Sequence, residues 1–104
     1  MEFIVKVDKE GTVRYYKPGT DVLHREDGPA VLWNHGTEEW YKEGKLYRED
    51  GPAIKSYDGH EFWYINGKLH REDGPAVEMA SGAKGWWIND EELTKKMFKR
   101  RAGL

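Results

Sequence analysis

The chain contains no cysteine, which excludes disulfides and thiolate-bound metals and matches the usage of a reducing compartment. It also has no run approaching the ~18 apolar residues of a membrane span. Its first residues carry no basic segment followed by an apolar one, the pattern of a secretory leader. The expectation is a soluble, cytoplasmic protein. Charge of one sign is not in excess either: 17 Lys and Arg against 19 Asp and Glu leave a formal net charge of −2. No global field therefore draws the chain to nucleic acid or to an anionic membrane. Apolar residues are thinly supplied, at 38% against 35% charged, and 104 residues leave room for one domain, 1–104, with a small core. What the chain does have is rings and glycines, with 5 Trp, 6 Tyr and 12 Gly.

These residues recur with a period. LHREDGPAV at 23–31 returns as LYREDGPAI at 46–54 and as LHREDGPAV at 69–77, a constant spacing of 23. Such a period marks a tandem array of one supersecondary unit. The rings keep the same register: Trp40, Trp63 and Trp86 are 23 apart, as are Tyr41, Tyr64 and Trp87. The opening is a diverged first copy, with Gly11, Tyr15, Tyr16 and Gly19 in the places of Gly36, Trp40, Tyr41 and Gly44, and two extra residues within 20–22. Repeats are expected at about 11–35, 36–58, 59–81 and 82–90.

Local chemistry predicts the unit to be hairpins. Residues 2–8 alternate as an edge strand, residues 12–17 form the next, and residues 61–65 read as a strand running into Asn66 and Gly67, a type I′ turn. Asp58 and Gly59 give a second two-residue turn signal, and Glu72, Asp73, Gly74 and Pro75 a turn or bulge before an extended segment at 76–80. Neighbouring strand residues face opposite sides, so the Trp row, joined by Ile65 and Ile88, is expected on one face and the row Tyr16, Tyr41, Tyr64 and Trp87 on the other. The period fails where Asp90 stands in the place of Gly67. There a helix at about 90–101 is predicted, capped by Asn89, with Glu92 completing a capping box and Leu93, Met97 and Phe98 as its apolar stripe. The fold class is thus mainly β: a single-layer antiparallel meander of 23-residue hairpin repeats closed by a C-terminal capping helix.

Four features could carry function. The His24, Arg25, Glu26 and Asp27 cluster resembles acid–base machinery, but a catalytic site needs one perturbed constellation and not three near-copies, and Tyr47 replaces the His in the second. No enzyme is predicted. Instead Asp27, Asp50 and Asp73 are expected to accept from local backbone N–H groups, the following glycines to adopt positive φ, and Arg and Glu to pair between copies. The carboxylates lack the alternating ligands of a calcium loop, and His24 and His70 lie two repeats apart, so no metal or cofactor is expected. Lys95, Lys96, Lys99, Arg100 and Arg101 form a basic cluster suited to anions, which makes a small nucleic-acid-binding protein the alternative reading. The row Tyr16, Tyr41, Tyr64 and Trp87 is the candidate protein-binding face, since Tyr and Trp are favoured at interface hot spots. The edge strand at 2–8 is open to pairing with a second copy, giving a homodimer.

The period, the aromatic strand, the Asn66, Gly67 and Lys68 turn and the following His70 resemble the MORN repeat over about residues 11–90. The Arg25, Glu26, Asp27, Gly28, Pro29 and Ala30 segment and its two copies resemble more nearly the HREDGPA-type repeats of bacteriophage and giant-virus proteins. The resemblance implies hairpins stacked into one elongated sheet. It also implies a non-enzymatic phage accessory protein in the host cytoplasm, binding a host factor for host takeover or anti-defence, with an antitoxin or immunity role as a narrower form. The Glu-Asp-Gly-Pro element replaces the glycine-rich second strand of MORN repeats, so their phosphoinositide binding is not carried over.

Overall fold

The turns set the path of the chain, and they fall on two opposite edges of one sheet. In the computed structural model, which describes residues 3–101 and 103, the chain first builds a hairpin from β1 (Ile4–Val7) and β2 (Val13–Tyr16). The repeats follow as β3 (Val31–Leu32), β4 (Glu38–Glu39), β5 (Tyr41–Lys42), β6 (Lys45–Leu46), β7 (Ile54–Lys55), β8 (Glu61–Phe62), β9 (Tyr64–Ile65), β10 (Lys68–Leu69) and β11 (Val77–Glu78). β12 (Lys84–Ile88), β13 (Glu91–Leu93) and the helix α1 (Lys95–Arg101) close the array.

Nine strands pair antiparallel in the order β1-β2-β3-β4-β7-β8-β11-β12-β13, and the pairs β5–β6 and β9–β10 extend the same chain toward one edge. The molecule is a hairpin meander with extents of 45 × 28 × 18 Å. One register row crosses the sheet through Arg14, Val31, Glu39, Ile54, Phe62, Val77 and Gly85. Tyr16, Tyr41, Tyr64 and Trp87 follow this row at intervals of two and share its face; Tyr15, Trp40, Trp63 and Trp86 take the other.

Strands are interrupted where one straight run was expected. The predicted strand 61–65 breaks at Trp63, whose N–H donates to Ala76 O at 2.7 Å while its carbonyl accepts from His70 N at 3.0 Å. Trp40 does the same between Ala53 O and Tyr47 N, at 2.7 and 3.1 Å. These backbones therefore bridge the main sheet and the outlying hairpin. The expected strand 76–80 shortens to β11, and the first strand is β1, with Glu2 outside the described residues. Asp58 and Gly59 do not make a two-residue turn. The loop is closed by Ser56 N to His60 O at 2.9 Å and contains Gly59 at φ 97°, a longer connection repeated at Gly36 and Gly82. The extra residues before Leu23 are absorbed in a loop, and Tyr16 still bridges to Leu23.

The predicted helix start is corrected. Asn89 and Asp90 have φ of 48° and 68°, which makes them a fourth hairpin turn equivalent to Asn66 and Gly67 rather than a cap, and β13 follows where a helix was expected. Asp tolerates the left-handed conformation, so the period continues without Gly. The helix begins only at Lys95. Thr94 caps it, its Oγ1 accepting from Met97 N at 3.1 Å, and Phe98, 3% exposed, packs on Trp86 with ring centroids 6.5 Å apart. Met97 is exposed and contributes nothing to that stripe.

Successive units are stitched at both edges. On one, Gly44, Gly67 and Asp90 N–H groups donate to Leu23, Leu46 and Leu69 carbonyls at 2.8 to 2.9 Å. On the other, Thr12 Oγ1, Thr37 Oγ1 and His60 Nδ1 accept from Asn34, Tyr57 and Ala80 amides of the next unit. Between the edges the core is narrow, with Ala30, Ala53 and Ala76 at 0% exposure.

Candidate functional site: two aromatic rows on opposite faces

The HREDGPA motif turns out to build the first row. Each arginine lies over a ring of its own unit: Arg25 over Tyr15 at 4.0 Å, Arg48 over Trp40 at 3.9 Å and Arg71 over Trp63 at 3.8 Å. Its Nε donates to the aspartate two residues on, at 3.2, 3.2 and 2.8 Å, and its Nη1 donates to the proline carbonyl four residues on, at 3.1 to 3.2 Å. The intervening glycine makes room. A Cβ on Gly28, Gly51 or Gly74 would stand 2.7 to 2.8 Å from the guanidinium carbon.

Three expectations are overturned here. Asp27, Asp50 and Asp73 bond to arginine rather than to local amides, because the guanidinium folds back over the ring and meets them first. Gly28, Gly51 and Gly74 are not in the positive-φ set, so space and not backbone freedom requires glycine. Arginine pairs within its copy, with Arg71 adding Glu78 at 3.4 Å, and not with glutamates of adjacent copies. The glutamates answer to the residue two before: Tyr47 donates its hydroxyl to Glu49, and His70 Nε2 bonds Glu72 at 3.0 Å. His24 and His70 accept through Nδ1 from the Glu43 and Asn89 amides of the next unit, at 2.9 and 3.1 Å. The hydroxyl, imidazole and carboxylate groups of the motif thus hydrogen-bond within its own turn or to the next unit. The Arg71 guanidinium holds Asp73 below the usual carboxylate range.

The indole N–H groups of Trp40 and Trp63 are buried and have no hydrogen-bond partner among the described residues, a cost of roughly 1–3 kcal/mol each. Both sit under an arginine, at the same place in successive units.

The second row is the predicted protein-binding set. Tyr16, Tyr41, Tyr64 and Trp87 are all half-buried, and the first three oppose Leu23, Leu46 and Leu69. Tyr41 donates to Glu39 at 3.0 Å; burial first and the Glu39 charge second push its hydroxyl up to about 12. Burial also raises Tyr64, with Asp90 adding to it. Lys6 stands 5.1 Å from the Tyr16 ring. The predicted anion set lies together on α1, with Lys95, Lys96, Lys99, Arg100 and Arg101 all exposed; Lys95 stands 5.8 Å from the Trp86 ring, and Arg101 pairs with Glu91 at 3.4 Å.

Among the described residues, no three His, Cys, Asp or Glu gather to hold a metal ion, and no helix is long and apolar enough to cross a membrane. No family model, curated protein or solved structure matches the chain. What the fold defines is an antiparallel hairpin meander with one C-terminal helix.

Proposed function

We propose that this is a non-enzymatic protein-interaction module whose partner lies against the row Tyr16, Tyr41, Tyr64 and Trp87. The observation that carries this is the position of those rings: one face, regular spacing, half exposed, each of the first three set against a leucine. Rings of this kind give large rigid contact area at little entropy cost, which is what interface hot spots use. A single-layer sheet leaves both its faces available for contact. The resemblance to phage repeats sets the context of a cytoplasmic host factor bound during infection, with an antitoxin or immunity pairing as the narrower form.

The test is capture from bacterial lysate by the wild type and by a Tyr41→Ala, Tyr64→Ala double variant whose circular dichroism matches the wild type. The expected result is one or a few host proteins retained by the wild type and lost by the variant. Equal capture by both rejects this face as the binding surface.

A further inference from the structure

A different surface, on the Trp face, carries an inference that does not rest on the tyrosine row. Successive arginine-capped rings leave shallow grooves between them. One, of about 490 Å³, lies between the second and third units and is lined by Tyr47, Glu49, Trp63, Ile65, His70 and Glu72, with Arg48, Arg71 and Asp73 at its sides. The preceding groove, of about 290 Å³, is built from the equivalent positions one unit earlier, except that His24, the counterpart of Tyr47, does not line it, and it carries one further difference. There the place of Ile65 is taken by Lys42, whose ammonium lies 5.1 Å from the Tyr47 ring.

The chain thus adds a lysine to one groove and leaves the next with only its two bordering arginines. The guanidinium groups bordering the open groove are neutralised by Asp50 and Asp73, at 3.2 and 2.8 Å. Glu49 and Glu72 are not: among the described residues neither has a Lys or Arg partner, and each meets only the Tyr47 hydroxyl or His70 Nε2. His70 spends its Nδ1 on the Asn89 amide at 3.1 Å. Lys68, opposite Ile65 in β10, does not line the groove. The result is a ring-walled slot with two carboxylates on its rim that, among the described residues, no lysine or arginine neutralises.

We propose that this groove receives a single basic side chain, of arginine or lysine, from a partner peptide, laid along the Tyr47 ring and Ile65 beside the Arg71-capped Trp63, with its charge between Glu49 and Glu72. The complementarity is of charge and shape together: the aliphatic stem lies along Ile65 and the rings, and the cation faces the carboxylates. Binding through one such side chain is weak, and because the carboxylates are solvated it falls with added salt.

The probe is a capped Gly-Arg-Gly peptide, compared with the same peptide carrying citrulline, its neutral near-isostere. Amide and indole NMR shifts of the full chain report the contact. The arginine peptide is expected to move the signals of Tyr47, Trp63, Ile65 and Glu72, and the citrulline peptide to bind at least fivefold more weakly. Ile65→Lys, which copies Lys42 into this groove, is expected to abolish the response. Glu49→Gln with Glu72→Gln, both at the surface, should weaken it severalfold even if the lysine variant folds poorly. Equal shifts with citrulline, an undiminished response in the glutamine variant, or shifts confined to the Tyr41 and Tyr64 face would each overturn the proposal.

Discussion

Replacing Gly51 with alanine tests the arginine clamp most directly. An added Cβ would stand 2.8 Å from Arg48 Cζ and 2.9 Å from Nε, closer than side chains pack. A flexible arm usually yields cheaply, but this one is fixed at three points, over Trp40 at 3.9 Å and on Asp50 and the Pro52 carbonyl at 3.2 Å each. Displacing it forfeits a cation–π contact worth about 1 kcal/mol and a charged hydrogen bond to the carbonyl of about 1.5 kcal/mol. The Asp50 contact adds little, since that carboxylate is 85% exposed. Set against this, alanine restricts the unfolded chain and returns about 0.4–1 kcal/mol, because Gly51 has no positive φ to forbid it. The net expectation for Gly51→Ala is a loss of about 1.5–2 kcal/mol, near 10 °C in Tm for a chain of this size. The decisive measurement is a double-mutant cycle by urea denaturation with Arg48→Ala. Once the arm is gone, Gly51→Ala should become neutral or slightly stabilising. A cost that stays the same in both backgrounds would show that the glycine serves the backbone and would refute the argument from space.

Three further outcomes follow from the same geometry. Thr94→Ala removes the cap of a seven-residue helix and is expected to cost about 1 kcal/mol, with loss of helical dichroism before the sheet melts. Tyr41 has a folded-state pKa of about 12 against an ordinary 10.0, so its proton stabilises the fold fully below pH 10 and that contribution is lost as pH rises through 12. Phenolate absorbance should lose its latest-titrating component in Tyr41→Phe, whose stability should also fall less steeply over that interval. Glu43 occupies the first position of its turn at φ 54°, where the equivalent residues are Asn66 and Asn89. Glu43→Asn should raise the denaturation midpoint despite losing the exposed Lys17 contact, and a lowered midpoint would contradict the turn assignment.

The meander was legible because three signals agreed: the 23-residue spacing, the ring pairs at alternating positions, and the Asn66 and Gly67 turn. The end of the array was harder. Asp90 and Gly67 do the same work at φ 68° and 79°, but residue type alone does not show when an aspartate accepts a left-handed backbone, so the sequence there reads as a helix start. The arginine clamp left a trace that local rules do not decode. Arg25, Arg48 and Arg71 each precede an Asp and a Gly, and Arg48 and Arg71 each follow Trp40 or Trp63 by eight residues, while Arg25 follows Tyr15 by ten across the two-residue insertion. That Arg-to-ring spacing, shared by the two later copies, was the available signal, yet turn chemistry gave Asp and Gly their usual backbone roles, and only the fold-back of the guanidinium over the ring assigns them otherwise. The tyrosine row was readable from alternation; its pairing with Leu23, Leu46 and Leu69 depended on where each hairpin turned.

The stitches between units have a consequence for how such a molecule can grow. On the edge where leucine carbonyls accept, the donor and acceptor atoms at one junction are the same as at the next, so excising residues 36–58 would present Leu23 O with Gly67 N in place of Gly44 N, and duplicating them would restore the same match twice. Each copy inserts two strands and lengthens the sheet by about 9.5 Å, twice the spacing between neighbouring strands. The protein is in this sense a ruler graduated in whole units, with its length open to change by recombination while every graduation keeps its shape.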